Sequence, residues 1–183
     1  MERDIVPVCN IWFDAEFGIG HQRVAPVAAP RADSIVYQFK KVFLAGDVSD
    51  WAFAAAAATV RAMGNASGTR QNFVNAIASR QIGDNTLHFN IGVLSDRETP
   101  PGMRRNRLTW AIAAENDTIE RWTFVGEVFG QRAMPATAQI GLRWWALPKY
   151  LQFTTSLGAQ RGAGRDGRWL SFGVRFETSD AIF

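Results

Sequence analysis

The chain is short of the residues that most often carry chemistry. Among 183 residues there are one cysteine, two histidines and two tyrosines. The lone Cys9 can neither close an internal disulfide nor assemble a thiolate metal site, and it reads as an incidental residue of the N-terminus. Long hydrophobic runs are also missing. A membrane-spanning helix needs roughly 18 or more consecutive apolar residues, whereas the longest apolar stretch runs from Trp51 to Ala58 and is mostly alanine. A helical membrane protein is therefore excluded. Lysine is scarce as well: apart from Lys40, Lys41 and Lys149 the basic residues are arginine, and the net charge is +3. The opening residues MERDIVPVCN contain no basic segment leading into an apolar one, so no signal peptide is read there. If the chain is exported, that points to a fragment or a mis-assigned start.

What is present is alternation. TLHFNIGVL (86–94), ATAQIGLRWW (136–145), KYLQFTTSLG (149–158) and GRWLSFGVRF (167–176) switch between apolar and polar at nearly every residue. Successive strand residues point to opposite sides of a sheet. Each segment thus gives one apolar and one polar side: Leu170, Phe172, Val174 and Phe176 against Ser171, Gly173 and Arg175. Strands of about this length, apolar outward and polar inward, mark transmembrane β-barrels. A mean hydropathy of −0.10 fits, because only alternate residues would face lipid.

The pattern predicts an all-β, antiparallel up-and-down transmembrane β-barrel of about ten strands (8–12). Residues 1–10 would be an N-terminal tail and 11–183 a single barrel domain. The expected strands span 11–20, 34–45, 50–62, 71–82, 86–95, 106–115, 119–130, 136–146, 149–159 and 167–177. Short turns (AGDVS, GDN, an Asn-Asp turn, LPK) alternate with longer polar loops, which puts all tight turns at one end and all long loops at the other. Trp12, Phe43, Trp51, Trp122, Trp144, Trp145 and Tyr150 map to the short-turn end, as an interfacial aromatic girdle would. A soluble β-sandwich with core aromatics is the bland alternative. One segment conflicts with the scheme. SDWAFAAAAATVRAMGN (49–65) has a capping residue, an alanine run and a closing glycine, and judged locally it is a helix. A strand is expected there because a helix would break the alternation of loops.

The pleat sends Asp14, Glu16, Lys40, His88, Asn90, Arg121, Glu127, Gln139, Arg143 and Arg175 toward the lumen. Buried charges must be paired. One reading is a packed network in which Glu16 and Glu127 offset Lys40, Arg143 and Arg175. The other is a charged constriction that selects permeants. The long-loop end carries Arg97, Arg104, Arg105, Arg107, Arg161, Arg165 and Arg168, which as extracellular basic loops could bind lipopolysaccharide phosphates or simply be solvated. No helix-turn-helix, zinc finger or RNA-recognition signature accompanies them, so nucleic acid is not an expected partner. Neither a cofactor nor a metal is implied. An enzyme is not expected: His21 and His88 fall toward opposite rims. His21 could pair with Asp33 or Ser34 there, whereas His88 reads as a hydrogen-bonded lumen residue.

The stretches DSIVYQFKKVF, NFVNAIASRQIGDNTLHFNIGV and AQIGLRWWALPKYLQFTTSLGAQRGAGRDGRWLSFGVRFE resemble the MetA-pathway-of-phenol-degradation family of outer-membrane proteins. Gln38, Lys40, Asn75, Ser79, His88, Asn90, Gly92, Glu127, Gly141, Arg143 and Arg175 occupy positions of its pattern. The resemblance implies a porin-like transport role in a Gram-negative outer membrane, with small hydrophobic or aromatic compounds as permeants. The expected function is therefore a narrow channel or uptake protein. A non-conducting structural or adhesive barrel and a soluble lipid-binding barrel are the alternatives.

Overall fold

The computed structural model describes residues 2–5, 8–11, 15–24, 32–44, 50–63, 68–97, 99, 102, 104–148, 150–165 and 167–176. Its elements are all strands: β1 (Glu2–Ile5), β2 (Val8–Ile11), β3 (Ala15–Val24), β4 (Ala32–Leu44), β5 (Trp51–Ala62), β6 (Gly68–Ile82), β7 (Asn85–Asp96), β8 (Asn106–Ile119), β9 (Trp122–Gln131), β10 (Thr137–Leu147), β11 (Leu151–Gln160) and β12 (Arg168–Phe176). They form one sheet in the order β1-β3-β4-β5-β6-β7-β8-β9-β10-β11-β12, with β2 also on β3. The ten strands β3–β12 thus run up and down in sequence order, as expected. Among the described residues no ladder joins β12 to β1, β2 or β3. The chain divides into two compact units: Met1–Ala45, Phe53–Ile77 and Ile91–Leu108 in the first, Gly46–Ala52, Ala78–Asn90 and Thr109–Phe183 in the second.

Two local readings change and a third is borne out. The first long strand is Ala15–Val24 rather than 11–20, because the segment read as a tail takes the edge. There β1 pairs with the Val24 end of β3, Glu2 opposite Val24, and β2 with the Ala15 end, Ile11 opposite Ala15. The alanine-rich segment is strand β5, as expected, paired with β4 from Ser34–Ala62 to Leu44–Phe53 with one register shift between Val42 and Leu44. Pairing along its whole length outweighs the roughly 0.5 kcal/mol or less per residue by which helix propensity separates most residues. The eighth strand does not stop at an Asn-Asp turn after 115 but continues to Ile119. A register irregularity between Asn116 and Ile119 absorbs the extra residues, and the chain reverses at Glu120 and Arg121, the latter with φ 66°.

The two faces differ in the way the alternation demands, and the exposed one is apolar. One row of the second unit runs Ala114, Gly126, Ile140, Leu157, Leu170 across β8–β12. The row beside it runs Asn116, Phe124, Leu142, Thr155, Phe172. Ile140 is 66% exposed and Phe172 78%. The residues in between are less exposed and mostly polar. The buried set is correspondingly inverted. Among the described residues it contains the small apolar Ala62 and Ala113 beside Ser34, Asp96, Arg107, Thr123, Thr137 and Gln152. Large apolar side chains such as Ile140 and Phe172 are thus exposed rather than buried against another layer.

Two of the strand glycines sit where a neighbour's side chain lies across the backbone. A Cβ on Gly158 would come within 2.0 Å of the Trp169 indole, its direct cross-strand partner. On Gly18 it would come within 2.7 Å of the Gln38 side chain, again the partner opposite. Strand glycines mark such close approaches.

Candidate functional site

In the second unit the polar face carries a connected chain of side chains. Ser79 lies near the end of β6 and His88 near the start of β7, joined by the turn at Gly83 and Asp84. Gly83 takes φ 58°, a left-handed conformation that glycine adopts without strain. The Ser79 hydroxyl and His88 Nδ1 are 2.8 Å apart. On the other side of the imidazole, Nε2 stands 3.7 Å from Oε1 of Glu115 on β8. The second carboxylate oxygen of Glu115 accepts a hydrogen bond from Arg143 Nη1 of β10 at 2.8 Å. These groups are partly sheltered, with side-chain exposures of 25% for His88, 22% for Glu115 and 37% for Arg143.

Around this chain the same face is tied by shorter links. Gln139 Nε2 donates to Glu127 Oε2 at 2.6 Å, the Ser156 and Ser171 hydroxyls lie 2.6 Å apart, and the Thr123 hydroxyl donates to Asp117. Two sheltered polar atoms on neighbouring positions of the β7 polar face have no hydrogen-bond partner: His88 Nε2 and Asn90 Oδ1. Among the described residues no group of three or more His, Cys, Asp and Glu side chains converges as a set of metal ligands.

Most expected lumen residues share the polar face, though not with the expected partners. His88, Asn90, Glu127, Gln139 and Arg143 are half-buried there. Arg143 pairs with Glu115, which the sequence reading did not single out, and Glu127 takes Gln139 instead of an arginine. Arg175 shares a row with Gln152 and Trp145 but is exposed on the edge strand β12. In the first unit Glu16 and Lys40 are direct cross-strand partners, both half-buried. Asp14 lies outside the described residues. Arg121 is not a lumen residue: the longer β8 moves it into the turn, where it is exposed and 3.7 Å from Glu120.

The basic loop set needs one correction. Arg97, Arg104, Arg105, Arg161, Arg165 and Arg168 are exposed, as expected. Arg107 is buried. Its Nη2 meets Asp96 Oδ2 at 2.9 Å and its Nη1 donates to Thr99 Oγ1 at 3.1 Å. It lies inside β8 opposing the end of β7, so the pair clamps a long connection and is not free for a phosphate. Of the two partners open to His21 in the sequence, it meets Asp33: its Nε2 lies 3.3 Å from Asp33 Oδ1.

The aromatics separate by face. Trp122, Trp144 and Phe153 stack in a line on the apolar face, with centroids 5.7 and 5.8 Å apart. Trp51 contacts Phe89 at 6.5 Å and lies under the Arg80 guanidinium at 5.5 Å. Trp145 is not on the face with Trp122 and Trp144 of the expected girdle, because it shares its row with Gln152 and Arg175 on the polar face. On the apolar face, Phe124, Gly126, Ile140, Leu142, Leu157 and Leu170 line a shallow depression of about 590 Å³.

Ser79 and Glu115 are the residues that sequence reasoning missed as a site. A signal for the first pairing was present. A two-residue turn at 83–84 sets 82 opposite 85 and therefore 79 opposite 88. Glu115 had a weaker one, as the lone charge closing the apolar run TWAIAAE (109–115).

The family model described as Uncharacterised conserved protein UCP029691 matches residues 1–177 of the chain. No curated protein matches it.

Proposed function

We propose that this chain, which belongs to the UCP029691 family, is a bacterial outer-membrane β-barrel acting as a narrow channel or uptake protein for small molecules. The observation that carries this reading is the inverted burial. Rows of large apolar side chains are exposed on one face of a ten-strand up-and-down sheet, while polar and charged groups pair on the other. Contiguous apolar surface on this scale marks contact with an apolar partner, and lipid is the partner that would cover every strand alike. The Trp122–Trp144–Phe153 stack supplies rings of the kind found at headgroup depth. Among the described residues no helix is long and apolar enough to cross a membrane, so a crossing would be made by strands.

In this reading β12 closes on the N-terminal edge, and the exposed loop arginines face lipopolysaccharide. The resemblance to the phenol-degradation outer-membrane family supplies the permeant class, small hydrophobic or aromatic compounds. Ten strands leave little width, since eight are filled by their own side chains and about sixteen leave an open channel. A permeant would have to pass beside Glu127, Gln139, Arg143 and His88.

One observation favours a second reading, a structural barrel with a filled lumen. Arg143, Glu115, Gln139 and Glu127 satisfy one another across β8, β9 and β10. Two measurements decide. Refolded protein run unboiled and boiled on SDS gels is expected to shift on heating, because a closed ladder leaves no backbone group for detergent to attack. No shift, with a folded monomer in plain buffer, would overturn the membrane reading. Inserted protein is then expected to give small unitary currents in planar bilayers. Verified insertion without current would leave the structural barrel.

A further inference from the structure

The chain Ser79–His88–Glu115–Arg143 has a connectivity that packing alone does not ask for. One imidazole nitrogen meets a hydroxyl and the other faces a carboxylate, at 2.8 and 3.7 Å. A guanidinium at 2.8 Å holds that carboxylate from behind. A nucleophile within hydrogen-bond reach of a base, with the base oriented by a third group, is the general arrangement of hydroxyl-based acyl transfer. The carboxylate contact is longer than a hydrogen bond, as such contacts often are before substrate tightens them. The unpartnered Asn90 Oδ1, two residues along β7 from His88, adds a second, independent sign. A sheltered polar atom is costly to leave without a hydrogen bond, and this one points to a polar ligand beside the ring.

We propose that Ser79, His88 and Glu115 form a nucleophile–base–acid relay that hydrolyses small carboxylic esters reaching the polar face. The Ser79 oxygen attacks the ester carbonyl while its proton passes to His88 Nδ1, and a C–O bond to Ser79 forms. The alkoxide leaves with that proton as the alcohol, and Ser79 carries the acyl group. Water then adds to the acyl carbon, giving its proton to His88. The C–O bond to Ser79 breaks, the serine recovers the proton, and the carboxylic acid departs. Glu115 positions the ring and stabilises the imidazolium formed in each step. Arg143 positions Glu115. Asn90 offers an acceptor beside the ring for a hydroxyl or amide of the substrate. The proposal goes beyond the channel reading and needs only the polar face of one unit, so it stands or falls apart from conductance.

The test uses the full chain refolded in detergent, with a fluorophosphonate probe and with p-nitrophenyl acetate and butyrate. The expected results are a covalent label mapped to Ser79 by peptide mass spectrometry and ester hydrolysis, both lost in Ser79→Ala. His88→Gln is expected to slow labelling on the order of 100-fold or more. Glu115→Gln should slow it too, with Glu115→Asp restoring part of the rate, a rescue that a purely structural carboxylate would not show in the labelling rate. Ser156→Ala, on the same face but bonded to Ser171, should label like the parent. Circular dichroism checks that each variant keeps its strands. If His88→Gln does not fold, the parent and Ser79→Ala still decide. A folded parent in which Ser79 takes no label, or a Ser79→Ala variant that hydrolyses esters at the parental rate, overturns the proposal.

Discussion

At the scale of single residues, polar pairs are prominent among the most sheltered side chains of the described residues. The clearest is Arg107 with Asp96, side chains 9% and 12% exposed and 2.9 Å apart. Removing one member of a sheltered pair strands the other charge, and that costs about 3–5 kcal/mol. Arg107→Ala is therefore expected to lower the denaturant midpoint sharply, whereas Arg105→Ala, at an exposed neighbour, should stay within about 0.5 kcal/mol. Equal midpoints for the two variants would mean that the clamp contributes nothing. The contrast also shows why the arginine count misled at one position. Both side chains belong to the same basic stretch, and no local feature distinguishes the one that finds a carboxylate across the hairpin.

At the scale of elements, strand register converts alternation into two faces, and each face can be probed through adjacent residues. Ile140 and Gln139 are neighbours on β10 but belong to different rows, Ile140 with Gly126 and Leu157, Gln139 with Glu127 and Gly158. If the Ile140 row meets hydrocarbon, Ile140→Arg is expected to destabilise the protein by about 2–4 kcal/mol in lipid vesicles. At a position 66% exposed to water the same change would cost under about 0.5 kcal/mol, so equilibrium unfolding in vesicles separates the cases. The polar side has its own steric limit. Gly158→Val would drive a branched side chain into the Trp169 indole, and overpacking of this kind costs about 1–3 kcal/mol. The double variant Gly158→Val with Trp169→Ala should recover part of that loss in the same unfolding measurement. The periodicity read from residues 86–176 predicted these faces correctly, because a period of two survives small errors in where a strand begins. Boundaries survived less well: β8 ran four residues past its expected end, since a register irregularity near Asn116 has no compositional signature.

At the scale of the whole molecule, ten strands in sequence order form one sheet with its large apolar side chains exposed. A charged constriction among Glu127, Gln139 and Arg143 predicts that Arg143→Gln changes the cation-to-anion permeability ratio toward cations, read from reversal potentials under a salt gradient; an unchanged ratio would place the ion path elsewhere. What the sequence by itself determined was whatever depends on neighbours along the chain: an all-β architecture, ten alternating strands, the apolar and polar faces, and the tight turn at Gly83 and Asp84. It also carried enough pattern to read the alanine-rich segment as β5 despite its helical composition. Tertiary structure alone decided which side chains meet across strands: Arg143 with Glu115, Arg107 with Asp96, and the edge supplied by β1 and β2. The physical reason is separation. Facing and turning are set by local sterics and by a period of two, whereas Glu115 and Arg143 lie 28 residues apart and meet only once β8, β9 and β10 have settled into register.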